Sequence, residues 1–570
     1  MLSFKRLAYV LLIVVSICVV FMFYNINENN NRIVAIQSSK IEKQELIQGE
    51  VASNKEEHVF YVIGTEEEDI YKDIFRNVKV LMSDLKLSWE EKTKITTQDM
   101  KNKRAVLVFC DDSVGKYVDL LELGNFIEQG GKVVLAAGLA EGYEDAYLLP
   151  ILGILEKTTK ENYTEYTFLE EFFPVQEEEM QYAGYTISTW LNVNSNAKVY
   201  LQEKEKEVPI VYSHSFGDGE VLVINATFLD NAQCVGVLTS GIGVLLEDFM
   251  YPVMGLECIY LDNFPVVTYV NDPLCMKMYG RTTEAFVRDV VWPVFQGIGV
   301  RNELKYTSSV LNVTTKDNIF PAVSENLFGT MGKSALQYNG ELSYAVYAEN
   351  DKELYRNDEF IQNFEDTFIN YQIGSVCMMS EGRQQEAIEV LGKDISVIRG
   401  KLSAVNKEER LYSSDAYTIF PEATNGVNLE EGNLFAIHSV FAGYGMVSHT
   451  FDVNMFINMD ENTPGWDTNK YLLAECEDRV VRKYMCLNKV TVSETLNWVN
   501  SYENLNYSWR KDKQKIEITA NHFIYEQPFL LRTVGEIISA DGADFEKVSD
   551  CYYMIRLKAS KAVLDMTEGE

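Results

Sequence analysis

The sequence predicts an α/β protein of several domains, anchored at its amino terminus and finished by a β-rich segment. Three observations carry the prediction. An uncharged apolar run of 18 residues stands near the start, short β-rich runs then alternate with stretches of helical spacing, and residues 503–570 are strand-like pieces separated by polar turns. With 570 residues, 46% hydrophobic and 12% aromatic, the chain has material for about three domains of roughly 100–200 residues each.

The apolar run, Leu7 to Tyr24 (LAYVLLIVVSICVVFMFY), follows Lys5 and Arg6. It is just long enough to cross a bilayer of about 30 Å as a helix, and a secretory signal would have a shorter core and a small-residue cleavage site. Cys18 lacks the small preceding residue that lipidation needs. The two basic residues lie on the amino-terminal side, so residues 1–24 are expected to be an uncleaved signal anchor at the cell membrane, single-pass, with the bulk of the chain extracytoplasmic. Residues 25–57 are polar, mixed in charge and free of aromatic side chains, and read as a stalk with some helical character around Ile41 to Leu46.

The formal charge is −34, with 51 basic and 85 acidic residues. Lys5 and Arg6 are the only charges in the anchor, so the remainder holds 49 basic and 85 acidic residues, a net charge of −36. That excludes nucleic acid as a partner and suits either a cationic ligand or simple solubility. Of nine cysteines, none forms a C-x-x-C pair and most sit in apolar runs, where a buried free thiol is the ordinary state. No zinc-type cluster is present in the sequence.

From His58, the runs HVFYVIG, RAVLVFC and GGKVVLAAG alternate with helical spacing over Asp69 to Leu85 and Val118 to Glu128. Strand, helix, strand with short turns implies a parallel sheet covered on both faces. Gly130-Gly131 ends a helix ahead of the next strand, and Gly217-Asp218-Gly219 between apolar runs signals a hairpin. This first domain spans residues 58–254. Its layout resembles the flavodoxin-like, glutamine-amidotransferase-like domains attached to carbohydrate-active proteins, but Cys110 has no glycine-flanked elbow and no G-x-G-x-x-G follows a strand, so neither acyl chemistry nor a dinucleotide is expected. His58 and His214 read as surface or core residues.

The second domain, residues 255–502, opens with Ile259-Tyr260-Leu261-Asp262-Asn263-Phe264-Pro265, a buried strand that delivers Asp262 and Asn263 at its carboxyl end. Glu284 to Phe295 has amphipathic spacing interrupted by Pro293, Glu303 to Val313 alternates like a strand, and Gly340 to Asn350 (GELSYAVYAEN) is a further strand with Ala345 and Glu349 four residues apart. Asp358 to Tyr371 and Arg383 to Leu391 read as helices, and Asp394 to Arg399 as a strand. Leu434 to Asp452 carries His438 and His449, the domain's only histidines, and Thr491 to Tyr502 reads as a closing helix with Ser493 near its cap.

These stretches, over about Glu257 to Tyr502, resemble a polysaccharide deacetylase of the NodB type, and most closely a bacterial family that pairs such a domain with a flavodoxin-like one. The resemblance implies a (β/α) barrel. In that fold the first strand ends in Asp-Asp, a general base followed by a metal ligand, and a later H-x-x-x-H supplies two more ligands. Here Asp262 matches the base, Asn263 the ligand acid, and Ala345 and Glu349 the histidines. A water-activating divalent metal wants imidazole or carboxylate donors at about 2.0–2.2 Å. Ala345 offers no donor and Asn263 only a neutral carbonyl, so the expectation is a retained barrel with no metal or other cofactor. The resemblance further matches Arg399 to an arginine that orients the catalytic acid, and His449 with Asp452 to a late histidine and acid.

Three functions remain open. The first is a pseudo-deacetylase that binds or guides a polysaccharide, as in exopolysaccharide (pellicle-type biofilm) gene clusters, where a cationic amino-sugar polymer would suit the acidic exterior and synthase or exporter proteins would be partners. The second is an active hydrolase with a remodelled, metal-free site built from Asp262 with Glu341 or Glu349. The third is a structural subunit of a cell-envelope complex.

Overall fold

The computed structural model describes residues 43–52, 58–67, 71–142, 145–265, 270–311, 325–346, 373–379, 397–401, 418–458 and 465–567, with isolated positions 16, 41, 267, 361 and 371. The expected membrane span therefore lies outside the described residues apart from Ser16. So do Glu349 and the two helices expected at Asp358 to Tyr371 and Arg383 to Leu391, bar Ile361 and Tyr371. Among the described residues no helix is long and apolar enough to cross a membrane.

The first domain is built on strands β1 (Val59–Ile63), β2 (Ser88–Lys92), β3 (Ala105–Phe109), β4 (Lys132–Leu135), β5 (Ile154–Phe168), β6 (Glu179–Val193), β7 (Lys198–Glu203), β8 (Pro209–Phe216) and β9 (Gly219–Ile224). They form one sheet in the order β2-β1-β3-β4-β9-β8-β7-β5-β6. The part from β2 to β9 is parallel, and its central strands are the buried apolar runs that the sequence marks. Helix Lys72–Asp84 buries Ile74, Phe75, Val78, Leu81 and Met82, one stripe at helical spacing. Helix Leu120–Glu128 starts at Asp119, whose carboxylate accepts from the backbone N–H of Leu121 and Glu122, and ends before Gly130, which takes φ +99°. The expected hairpin is β8–β9, turning through Gly217 at φ +62°. The long antiparallel pair β5–β6 has no clear period in the sequence and extends the sheet beyond what the pattern suggests.

Helix Gly236–Leu246 (GVLTSGIGVLL) is buried through Leu245, because it packs against helix Asn433–Tyr444, also buried along its length. A Cβ added to Gly236 would lie 1.8 Å from the Ser439 carbonyl oxygen, so the two backbones touch there. Beside this crossing, Phe435 gathers Phe228, Tyr182 and Phe173 at ring distances of 5.2, 5.5 and 5.7 Å. The first domain and the second share one continuous apolar core as a result.

The second domain is a parallel sheet of β11 (Leu256–Asp262), β12 (Tyr306–Leu311), β13 (Glu341–Val346), β14 (Ser375–Met378), β15 (Val397–Lys401), β16 (Thr418–Glu422), β17 (Thr424–Asn425) and β18 (Met446–Asp452). β16 pairs with β15, and its continuation β17 pairs with β18, which pairs with β11. The backbone N–H of Ala423, between β16 and β17, donates to Ser448 O. The sheet thus curls into a nearly closed barrel whose carboxyl end holds Asp262. Pro293 does not break its helix: helix Thr283–Phe286 passes through a π-helical turn, Val287–Val291, into Trp292–Asn302. The wider turn accommodates the missing N–H of Pro293. The stretch Leu434 to Asp452 divides into a helix and β18, with Gly445 at φ +59° between them.

The carboxyl-terminal strands make two four-stranded antiparallel sheets around Ile516, Ile518, Phe529, Leu531, Ile555 and Leu564. One of these sheets includes Phe249–Pro252, which precedes the barrel in sequence and pairs with Gln527–Arg532. Residues 43–52, in the segment read as a stalk, are not helical and lie against the sandwich. Ile47 bridges to Phe523, and the backbone N–H groups of Gly49 and Ala52 donate to Asn521 Oδ1 (2.9 Å) and Thr519 Oγ1 (3.1 Å).

Candidate functional site

The carboxyl end of β11 places Asp262 inside the barrel at 4% exposure. Arg399, on β15 and 0% exposed, reaches across to it: Nη1 donates to Asp262 Oδ1 at 2.7 Å and Nη2 to Oδ2 at 3.2 Å. Ser309 Oγ on β12 donates to the same Oδ1 at 2.8 Å. Nη2 also donates to the Met378 carbonyl (3.2 Å), and the guanidinium carbon stands 4.9 Å from the centre of the Tyr260 ring. Glu422 Oε2 lies 3.7 Å from Nη1 and accepts from Thr450 Oγ1 at 2.7 Å. Burial alone would disfavour the charged guanidinium, but Asp262, Cys377 and Glu422 outweigh it and hold Arg399 protonated well above its ordinary range.

Small polar residues make room for that crossing. Ser309, Ser343, Ser375, Thr418, Ser448 and Thr450 are all at most 3% exposed, and Ser309 and Thr450 bond to Asp262 and Arg399 directly. Ala345 pairs with Leu311 and Cys377 in register and shares a strand face with Ser343, two residues earlier, which is in register with Ser309. The alanine therefore adds to the space beside Asp262 and contributes no donor.

Asn263 turns the chain at φ +57°, a left-handed conformation that asparagine tolerates. Its Nδ2 donates to Asp452 Oδ1 at 2.6 Å, and Asp452 Oδ1 also accepts from the backbone N–H of Asn454 at 2.9 Å. Asp452 is in register with Asp262 across β11 and β18, so these residues meet at one end of the barrel. His449 does not join them. Three residues from Asp452 in a strand, it faces the other side. Gly426 O can only accept, so Nε2 carries the proton and donates to it (2.8 Å), while Nδ1 accepts from Thr424 Oγ1 (2.8 Å). Glu341 enters from the amino-terminal end of β13, where Ser375 Oγ (2.5 Å), Ser493 Oγ and the Ser493 N–H (3.0 Å) all donate to it. It is not paired with Asp262.

A divalent metal does not fit this donor set. The Asp262 carboxylate is bound by Arg399 and Ser309, Asn263 is engaged with Asp452, Ala345 has no donor atom, and both nitrogens of His449 are committed elsewhere. Among the described residues no three His, Cys, Asp or Glu side chains converge as metal ligands. Sequence reading identified Asp262, Asn263, Asp452 and Arg399 but missed Ser309, Glu422, Thr450 and Tyr260. The signal available for Ser309 and Thr450 was serine and threonine recurring within otherwise apolar strands, as at Ser448 and Thr450; Glu422 and Tyr260 carried none.

The first domain treats its own crevice similarly. At the carboxyl ends of β1 and β3, where strand order reverses, an open α/β sheet leaves room for a ligand. Lys160, on β5, donates there to Asp112 Oδ2 (2.6 Å) and to Tyr71 OH (3.1 Å). Burial pushes the Asp112 carboxyl up, but Lys160, Tyr71 and Ser113 hold it below its usual range. Cys110 is fully buried and burial pushes its thiol up. His58 Nδ1 contacts the Arg104 carbonyl (3.2 Å) and His214 Nδ1 the Ile151 carbonyl (2.8 Å), both structural bonds. The eight described cysteines are all free.

Fold and site define a multidomain α/β protein whose parallel barrel holds an arginine-clamped aspartate where its first strand ends. The chain belongs to the family described as "Uncharacterised protein conserved in bacteria (DUF2194)", whose profile matches residues 15–345. No curated protein matches it. Among solved structures it is similar to a protein of Parabacteroides distasonis provisionally named a glycoside hydrolase/deacetylase, at 12% identity, 49% of this chain, 82% of that chain and a TM-score of 0.29. It is also similar to the β-galactosidase of Bacillus circulans sp. alkalophilus, at 12% identity, 33% of this chain and a TM-score of 0.25, where the match spans only 30% of that enzyme's length.

Two outcomes follow from the buried groups. Arg399→Met leaves Asp262 buried without its partner and is expected to destabilise the protein by about 3–5 kcal/mol in urea unfolding at pH 7, and adding Asp262→Asn to regain most of that; a single-variant loss below about 1 kcal/mol would contradict the clamp. Burial lowers the His449 imidazole from 6.5 to about 4. The unfolded chain takes up this proton near pH 6.5 and the folded chain only near pH 4, so the stabilisation is complete above 6.5 and is lost as pH falls through that window. The loss reaches about 3 kcal/mol at pH 4. His449→Gln should reduce the slope of the unfolding free energy between pH 6.5 and 4 by about one proton's share, leaving that of buried His438, which burial lowers to about 3, and an unchanged slope would contradict the assignment.

Proposed function

We propose that this protein is a membrane-anchored, extracytoplasmic pseudo-deacetylase that binds or guides a polysaccharide during exopolysaccharide assembly or export. The observation that carries the reading is that the positions beside the Arg399-bound Asp262 offer no metal ligand: Ala345 has no donor atom, and Asn263 is bonded to Asp452. A general base needs a lone pair open to substrate or to a water held near it. Asp262 keeps one on Oδ2, which among the described residues accepts only from Arg399, so the base position is retained and the departure lies in the ligand positions around it. The resemblance to deacetylases in the first strand supports a sugar polymer as the ligand. The exterior charge of −36 supports a cationic amino-sugar chain, with attraction confined by salt to about 8 Å at physiological strength. On this reading synthase or exporter proteins are the partners, and residues 7–24 hold the protein at the cell membrane beside them.

The test is retention of the full chain, in detergent, on beads of partly deacetylated chitin, fully acetylated chitin and dextran. Retention on the deacetylated polymer, lost stepwise as salt is raised from about 0.05 to 0.5 M, is expected, with no acetate or reducing sugar released. Release of either product would favour an active hydrolase, and failure to bind any of the three would favour a structural subunit.

A further inference from the structure

A second site stands at the opposite edge of the first domain. A hollow of about 410 Å³ opens at the amino-terminal ends of β3 and β4, between the short helix Asp99–Lys101 and helix Leu120–Glu128. Its volume lies in the range of small-molecule sites. Asn125 and Gln129, four residues apart on one helix face, line it together with Lys101 and Lys103. None of these four side chains has a hydrogen-bonding or ionic partner among the described residues, in a chain where acidic residues outnumber basic ones 85 to 51. Glu122 completes the polar wall, held in place by Thr97 Oγ1, which donates to Glu122 Oε2 at 2.8 Å. Phe126 and Met100 supply the apolar part of the lining.

The mixture of charges narrows the ligand. A bare anion would satisfy the lysines but meet Glu122 with like charge, and a neutral polyol would satisfy the amides and Glu122 but leave both ammonium groups unmatched. A ligand with both parts matches all of them. We propose that this hollow binds an acidic sugar unit, a pyranose ring bearing a carboxylate. The carboxylate sits between Lys101 and Lys103, the ring hydroxyls donate to Glu122 and exchange bonds with Asn125 and Gln129, and an apolar ring face lies toward Phe126. The site stands on the first domain alone and does not depend on the barrel's ligand.

Calorimetric titration of the full chain with sodium glucuronate, glucose and inorganic phosphate tests this, with a glutamate-rich peptide as a fourth arm. Glucuronate should bind, and more tightly than the other three. Lys101→Gln with Lys103→Gln should weaken glucuronate by about fivefold and bring it level with glucose, in keeping with two exposed charge contacts. Asn125→Ala with Gln129→Ala should weaken both sugars. These side chains are exposed, so thermal unfolding of the variants should match the parent and keep the reading free of misfolding. The proposal is overturned if glucuronate does not bind, if glucose binds equally well, if phosphate or the peptide binds more tightly, or if the lysine variants change nothing. Failure here would leave polymer retention by the barrel unaffected.

Discussion

A guanidinium with no solvent exposure must be matched by carboxylate inside the protein, and the rest of the barrel follows from that requirement. Arg399 starts on β15 and ends on β11, crossing the interior to Asp262, with Glu422 as a second, longer contact. The path is open because facing strands carry serine, threonine, alanine and cysteine where a packed barrel would carry branched apolar side chains. Neutralised in this way, the pair can remain buried. Three hydrogen bonds among the described residues reach the carboxylate, two on Oδ1 and one on Oδ2.

The same device recurs in the first domain. Lys160 reaches from the added β5–β6 hairpin over the crevice where a parallel sheet would seat a ligand and binds Asp112 and Tyr71. At both places where α/β folds commonly do chemistry, a basic side chain of the protein itself bonds the aspartate found there. The two domains are also welded through helices Gly236–Leu246 and Asn433–Tyr444, whose contact needs glycine at 236.

Much of this fold was legible in the sequence wherever burial leaves a simple pattern. The runs VFYVI, AVLVF and KVVL became adjacent parallel strands, and Gly217-Asp218-Gly219 became a hairpin. Long antiparallel strands such as β5 and β6 were not legible, because bulges interrupt their alternation. The glycine-rich helix at 236 has no polar face and so no period to read. Within the site, Asp262 and Asn263 stood out as a polar pair ending an apolar strand, and Arg399 as a base ending another. Their partners did not, since which serine meets which carboxylate depends on register between strands far apart in sequence. His449 and Asp452 were grouped by the family resemblance, yet a spacing of three along a strand separates them onto opposite faces. The segment at 43–52 looked like a spacer because its bonds to Asn521 and Thr519 join positions over 460 residues apart.

The central claim is that this barrel has exchanged its cation grips for groups that hold none. Zinc titration of the full chain, followed by direct metal analysis after gel filtration, tests it beside a variant combining Asn263→Asp, Ala345→His and Glu349→His. The account predicts that the parent chain retains well under about 0.1 equivalent while the variant retains about one. A parent chain that retains one equivalent of zinc, lost on Asp262→Ala, would contradict it.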